Sequence, residues 1–194
     1  MHHPPFFTGE EFREQLLEQW TQMNLLLQTG LVRAIGVSNF YDRQLEILFE
    51  LCQEYSLQLP CVNQIELHPS NQNWDLVNFC HLNGIQVVAH TPLGGLAAKY
   101  ILQSEIIQQI GLEIGVTPAQ VVLASTMKRG IGVIPRSLSR NRMKENFDSI
   151  NFISSITEDH LERLRSLDSG YNMIVTSITS FEFNNKLSNE VMYL

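Results

Sequence analysis

The chain has 194 residues, of which 44% are hydrophobic and 17% are charged, and this composition suits one domain with a substantial core. The net charge is −7 and the basic residues are scattered, so we expect no nucleic-acid partner. No apolar run approaches the roughly 20 residues of a membrane-spanning helix, and residues 1–5 lack the pattern of a signal peptide. We therefore expect no membrane partner either.

The cysteine pattern indicates a reducing compartment. Cys52, Cys61 and Cys80 form no C-x-x-C pair and leave an odd count. We expect three free thiols that pack as small core residues, in a cytoplasmic protein.

Hydrophobic periodicity predicts helices and strands that alternate along the chain. Thr8 and Glu11 form a predicted capping box for a first helix that ends at Gly30. The predicted strands are residues 32–37, 61–67, 85–90 and 131–134. The later predicted helices are one with apolar residues between 45 and 52, then 74–84, 101–114, 117–129, 140–150 and 157–167.

Short connections and apolar strands predict a parallel α/β sheet with helices outside it. A doubly wound sheet and a (β/α)8 TIM barrel both fit this pattern. No G-x-G-x-x-G follows a strand, and polar residues follow several different strands, as in a barrel. These residues are Ser38, Asn39, Gln64, His90, Thr91, Arg136 and Ser137. A complete barrel takes about 250 residues. About four β/α units therefore predict a partial barrel, its second half, followed by a C-terminal helix and tail.

The segment after the last predicted strand has the composition of a phosphate site. Pro135 ends that strand, and Arg136, Ser137, Ser139 and Arg142 follow around the start of a helix that begins near residue 140. A capped helix N-terminus with guanidinium groups suits a phosphate. A strand-to-helix turn with solvated arginines is the alternative interpretation.

Three motifs resemble those of the aldo-keto reductases. They are LVRAIGVSNF at 31–40, VNQIELHP at 62–69 and IPRS at 134–137, and the resemblance runs from His2 to about Gly170. It implies a (β/α)8 barrel and an NADPH-dependent oxidoreductase that reduces a carbonyl to an alcohol by hydride transfer.

The resemblance also implies a cofactor site, NADP(H) being the expected cofactor. Ser38, Asn39 and Gln64 correspond to residues that bind the nicotinamide carboxamide, and His90 stands where the family has a stacking tyrosine. The other implied cofactor-binding residues are Thr91, Pro92 and Leu93 along the pyrophosphate, Arg136, Ser137, Leu138, Ser139 and Arg142 around the 2′-phosphate, and Glu145 and Asn146 near the adenine and ribose.

The implied catalytic set is incomplete in this chain. His2 corresponds to the family's histidine that orients the carbonyl oxygen, but no segment matches the tyrosine, lysine and aspartate of its proton donor. We expect a truncated form that is inactive or very weakly active. The alternative is a non-catalytic NADPH-binding or protein-interaction module derived from the family.

The sequence also predicts the domain organisation and the partners of the chain. Residues 1–170 form an aldo-keto reductase-like half-barrel, and residues 171–194 form a tail without a recognised motif. Glu66 and His68 do not have the spacing of a zinc site, so we expect no metal. The expected substrate, once the missing half completes the barrel, is a small carbonyl compound. The open edges at 32–37 and 131–134 predict that the isolated chain self-associates, pairs with a first-half partner or is only marginally stable.

Overall fold

The computed structural model describes residues 1–5 and 9–170. The predicted cap at Thr8 and the predicted tail at 171–194 lie outside these residues. The strands are β1 Val37–Ser38, β2 Val62–Glu66, β3 Gln86–His90 and β4 Gly132–Ile134. The helices are α1 Gly9–Gln28, α2 Asp42–Glu54, α3 Trp74–Leu82, α4 Ala98–Leu102, α5 Glu105–Ile114, α6 Pro118–Lys128, α7 Arg140–Asp148 and α8 Glu158–Arg165. Short 3₁₀ segments cover Gly95–Ala97 and Ser149–Ser155.

The strands form a parallel sheet in the order β1-β2-β3-β4. Val37 lies opposite Asn63 in the β1–β2 pair, and Val88 lies opposite Gly132 in the β3–β4 pair, both parallel. Helices separate the strands in sequence, as parallel crossovers require. The prediction of an α/β class with a parallel sheet is confirmed.

The chain divides into two compact units. Within the described residues, unit 1 comprises 1–5, 9–65 and 75–87, and unit 2 comprises 66–74 and 88–170. All of β1 and residues 62–65 of β2 belong to unit 1. Residues 88–90 of β3 and all of β4 belong to unit 2.

The core of unit 1 includes one face of α1. Leu16 and Trp20 are fully buried on this face, and the polar residue Asn24 is buried as well. The Asn24 side chain accepts a hydrogen bond from Gln58 N at 2.8 Å, and the Trp20 indole donates to Gln58 O at 2.9 Å. A buried amide is tolerated here because its polar atoms have partners.

The core of unit 2 lies between α4, α5, α6 and α8. Ile107, Ile110, Val121 and Val122 are fully buried in it. The single helix predicted over 101–114 is wrong, because the chain breaks between α4 and α5. Ser104 adopts a non-helical conformation there, as the N-cap of α5.

Two of the predicted strands differ from the observed ones. The strand predicted over 32–37 is much shorter in the structure, where β1 covers only Val37–Ser38. Its partner β2 begins at Val62, opposite Gly36, so the residues before Gly36 have no strand beside them. The short, apolar, β-branched run at 131–134 predicts a strand that is buried on both faces, but Ile134 is 48% exposed. This expectation is wrong because β4 is the last strand in the sheet order and no described strand lies on its far side.

The predicted core packing of the cysteines is correct for two of the three residues. Cys52 and Cys80 are buried free thiols, and burial raises the pKa of Cys52 to about 11. Cys61 is exposed, because it lies just before β2 rather than in it.

Among the helices that the structure describes, none alone has the length and hydropathy of a membrane span. The pair α5 and α6 meets those two criteria together, with a bend of 86° between its members.

Candidate functional site

The ends of β1 and β2 bring Ser38, Asn39 and Gln64 together in unit 1. The Ser38 hydroxyl donates to Gln64 O at 2.7 Å, and Asn39 N donates to the same oxygen at 2.9 Å. Asn39 has a φ of +59°, a left-handed conformation that asparagine adopts more readily than most residues. These contacts fix the backbone from which the Asn39 amide projects.

Asn63 holds the next residue of this loop. Its side chain is fully buried, donates to Phe40 O at 2.8 Å and accepts from Phe40 N at 3.4 Å. The loop after β1 is therefore tied to β2 by a side chain as well as by the strand pairing.

We expect Asn63→Ala to lower the free energy of unfolding by about 2–3 kcal/mol, because both Phe40 backbone groups lose their partner in a buried place. Urea denaturation followed by circular dichroism measures this loss. Asn78→Ala, at an exposed position on α3, is the control and should change the free energy by less than about 0.5 kcal/mol. Equal effects of the two substitutions would show that the hydrogen bonds of Asn63 to Phe40 do not stabilise the fold.

The two histidines near the start of the chain have different positions. His2, the predicted catalytic histidine, is exposed, and its ring packs edge-on against His3 with centroids 4.2 Å apart. His3 is partly buried, and its Nδ1 atom lies 3.2 Å from the Asn39 amide nitrogen. The sequence did not predict this contact of His3. The one signal in the sequence is that His3 directly follows another histidine.

The residues after β3 form a tight turn in unit 2. His90 Nδ1 lies 2.8 Å from the Thr91 hydroxyl, and Gly94 N donates to Thr91 O at 2.8 Å. Gly94 has a φ of +84°, and a Cβ there would lie 2.2 Å from Ile101 Cδ1. Of the predicted pyrophosphate residues, Pro92 is buried, whereas Thr91 and Leu93 are partly exposed.

The start of α7 carries the predicted 2′-phosphate group. The Ser139 hydroxyl caps the helix by accepting from Arg142 N at 3.5 Å, and Ser137 Oγ accepts from Ser139 N at 3.2 Å. Arg136 and Arg142 are exposed, and no carboxylate of the described chain forms an ion pair with either. Leu138 is 88% exposed between them. A capped helix N-terminus with unpaired guanidinium groups suits an anion.

The structure places Glu145 against α6. Its carboxylate accepts from the Thr117 hydroxyl, and its backbone oxygen accepts from the Gln120 side chain at 3.2 Å. Asn146 is partly buried beside it. Glu145 thus links α7 to the cap of α6, and its place near the adenine stays a prediction.

Glu66 and His68, considered above as metal ligands, form a buried pair. His68 Nε2 lies 3.1 Å from the Glu66 carboxylate, and both residues are at most 2% exposed. No cluster of three or more His, Cys, Asp or Glu side chains that could hold a metal occurs in the described residues.

The two tryptophans have different surroundings. Both lie on apolar stripes of predicted helices, which predicts core packing, and Trp20 is indeed fully buried. Trp74 lies instead against two guanidinium groups, those of Arg129 at 3.7 Å and Arg165 at 4.7 Å from the ring centroid. Burial lowers the pKa of Arg129 to about 10.

A sequence model of the Aldo/keto reductase family matches residues 1–169. The chain belongs to this family. Mouse aldo-keto reductase family 1 member D1 is 34% identical over 164 residues, which are 80% of this chain and 49% of that protein. The sequence resemblance is therefore confirmed.

Solved aldo-keto reductases share the fold. An enzyme from a Medee basin deep-sea metagenome library superposes with a TM-score of 0.78 at 31% identity, over 88% of this chain and 60% of that one. An aldo-keto reductase complexed with NADPH gives a TM-score of 0.76 at 30% identity, over 89% and 54%. The chain spans about half the length of the mouse relative, and its fold is part of the aldo-keto reductase barrel.

Proposed function

We propose that this chain binds NADPH and forms the cofactor-holding part of a carbonyl-reducing aldo-keto reductase. The observation that carries the proposal is the hydrogen-bonded group of Ser38, Asn39 and Gln64 at the ends of two adjacent parallel strands. Ligands of parallel α/β folds bind at this end of the strands. A structural neighbour solved with NADPH supports the choice of cofactor.

Each of the two units, taken by itself, contains residues that fit one polar end of NADPH. Hydroxyl and amide groups of Ser38, Asn39 and Gln64 can donate to and accept from a carboxamide. The capped N-terminus of α7 can hold a phosphate with backbone N–H groups. When bound, NADPH would supply the hydride for carbonyl reduction.

Arg136 and Arg142 favour NADPH over NADH. Both carry an exposed guanidinium group close to the capped end of α7, and neither is neutralised by a carboxylate of the described chain. The 2′-phosphate that distinguishes the two cofactors adds charge that a guanidinium group can bind in a bidentate manner. The proposed cofactor preference rests on these two side chains.

The catalytic contribution of this chain would come from His2. Its exposed ring can donate or accept a hydrogen bond and so orient a carbonyl oxygen. The proton of the product alcohol needs a general acid, which in the family is a tyrosine that no segment of this chain matches. We therefore propose that the 194 residues alone do not reduce carbonyl compounds at a measurable rate.

The substrate of the complete enzyme would be a small carbonyl compound. One relative, the D-galacturonate reductase of Fragaria ananassa, is 32% identical over 191 residues. A non-catalytic NADPH-binding module remains the second proposal, favoured by the retention of cofactor residues without a matching proton donor. The odd cysteine count favours the cytosol as its compartment.

Quenching of intrinsic tryptophan fluorescence by NADPH tests the proposed function, with NADH as the control ligand. We expect saturable, weak binding of NADPH and weaker binding of NADH. Equal affinities for the two cofactors, or no binding of either, would contradict the proposal.

We also propose that the chain self-associates through the exposed edge at β4. Ile134 is 48% exposed on an apolar strand that ends the sheet order, and such an edge can pair with another chain. Light scattering after size-exclusion chromatography should show dimers or larger species that increase with concentration. Ile134→Lys should shift them toward monomer, whereas Lys144→Arg, at an exposed position on α7, should not. A monomer at all concentrations with a sharp, cooperative melt would contradict self-association.

A further inference from the structure

Three buried nitrogen atoms of unit 2 have no hydrogen-bond partner among the described residues. They are Nδ1 of His68, Nε1 of Trp74 and Nε of Arg129. Buried polar atoms in native proteins are nearly always paired, because an unpaired atom has lost its bonds to solvent and gained nothing in return. Three such atoms in one unit indicate a partner that is not a protein group.

The same three residues line one small cavity. Its volume is about 20 Å³, and the other lining residues include Ser125 and Thr126 of α6. A water molecule needs at least about 10–15 Å³ of such space, whereas pockets for organic ligands measure about 300–1,000 Å³. The cavity therefore has room for a water molecule or a monatomic ion and not for a larger ligand.

The pairing of His68 with Glu66 decides what the Nδ1 atom can do. His68 Nε2 lies 3.1 Å from the Glu66 carboxylate, and both residues are at most 2% exposed. A carboxylate only accepts hydrogen bonds, so Nε2 carries a hydrogen. In the neutral ring, Nδ1 is then an acceptor without a hydrogen.

The other two nitrogen atoms can only donate. The indole of Trp74 carries one N–H group, and Nε of Arg129 carries another. The guanidinium group is held in place, because its Nη2 atom donates to Gln72 O at 2.9 Å. The three unpaired atoms are thus two donors and one acceptor. A water molecule can accept from both donors and donate to the acceptor, and three bonds are typical of a buried water.

The second hydrogen of such a water molecule also has acceptors available. The hydroxyl groups of Ser125 and Thr126 each donate to Val122 O at 2.9 Å, so their oxygen atoms remain able to accept. A small anion fits less well, since it only accepts and would face the Nδ1 lone pair of the neutral ring. It would require a second proton on His68.

We infer that this cavity is a binding site for one ordered water molecule, which accepts from Trp74 Nε1 and Arg129 Nε and donates to His68 Nδ1. The water joins the segment after β2 to the end of α6, two parts of unit 2 that lie far apart in the sequence. None of the proposed cofactor-binding residues takes part, so the inference stands or falls independently of the proposed function.

Water–protein NOE spectra of the 194-residue chain test the inference with an internal control. The chain has two tryptophans, and the Trp20 indole donates to Gln58 O rather than to a water. We expect the Trp74 indole proton to show a cross-peak to a long-lived water molecule and the Trp20 indole proton to show none. Trp74→Phe identifies the signal by removing it, and sequential assignment of the unaltered chain identifies it if that variant does not fold.

The protonation of His68 and the response to halide separate water from an anion. Long-range ¹H–¹⁵N spectra should show a hydrogen on Nε2 and none on Nδ1 of His68. Replacing chloride by gluconate should leave the Trp74 indole signal unmoved. A saturable shift of that signal with chloride, together with a hydrogen on Nδ1, would overturn the inference in favour of a small anion. A Trp74 indole proton without a water cross-peak, or with one no stronger than that of Trp20, would overturn it as well.

Discussion

The purified 194-residue chain should not oxidise NADPH in the presence of a generic aldehyde at a rate above the blank. Reduction needs a proton for the developing alkoxide, and loss of a general acid alone lowers a rate by roughly 10²- to 10⁴-fold. His2 is the one residue of the implied catalytic set that this chain carries, and its ring is exposed. Weak cofactor binding would lower the rate further.

Loss of NADPH absorbance at 340 nm measures the reaction, with a complete aldo-keto reductase assayed in parallel as the positive control. Each assay is run with and without aldehyde, so that slow decomposition of NADPH is subtracted. Aldehyde-dependent oxidation by the 194-residue chain would show that a proton donor is present that the sequence comparison did not identify.

The double substitution Arg136→Ala and Arg142→Ala should weaken NADPH binding by about 100-fold. The expected effect is about tenfold for each exposed guanidinium group that contacts a phosphate, after allowance for solvent screening. NADH lacks the 2′-phosphate, so its affinity should change less than about twofold. Because the contacts are electrostatic, the difference between the unaltered and substituted chains should shrink as salt is added.

Arg140→Ala is the matched control for this pair. Arg140 is an exposed arginine in the first turn of the same helix, and the family resemblance assigns it no cofactor contact. We expect it to weaken NADPH binding less than about threefold. An Arg140 effect as large as that of the pair would mean that only the general positive charge of α7 attracts the ligand.

Local features of the fold were predictable from the sequence because they depend on neighbouring residues. Ser139 caps α7 and Thr117, followed by a first-turn proline, caps α6, since each hydroxyl accepts from a backbone N–H of the turn that follows it. The motif at 62–69 likewise placed Gln64 near the end of β2. The parallel sheet followed from the order of strands and helices.

Features that depend on distant segments were not predictable in this way. The length of β1 is set by the start of β2, and the exposure of Ile134 by the end of the sheet order. The contact of His3 with Asn39 joins residues 36 positions apart, and no local pattern encodes it. The bond from Thr117 to Glu145 similarly joins two helices that periodicity treats separately.

The most direct test of the account is to map the residues of the 194-residue chain that respond to NADPH, by ¹H–¹⁵N spectra recorded during a titration. We expect the largest shift changes at the amides of Ser38, Asn39 and Gln64 and at those between Arg136 and Arg142. Titration with NADH should perturb the first group more than the second. Saturating NADPH that leaves both groups unchanged, or that perturbs only residues outside them, would contradict the proposed cofactor site.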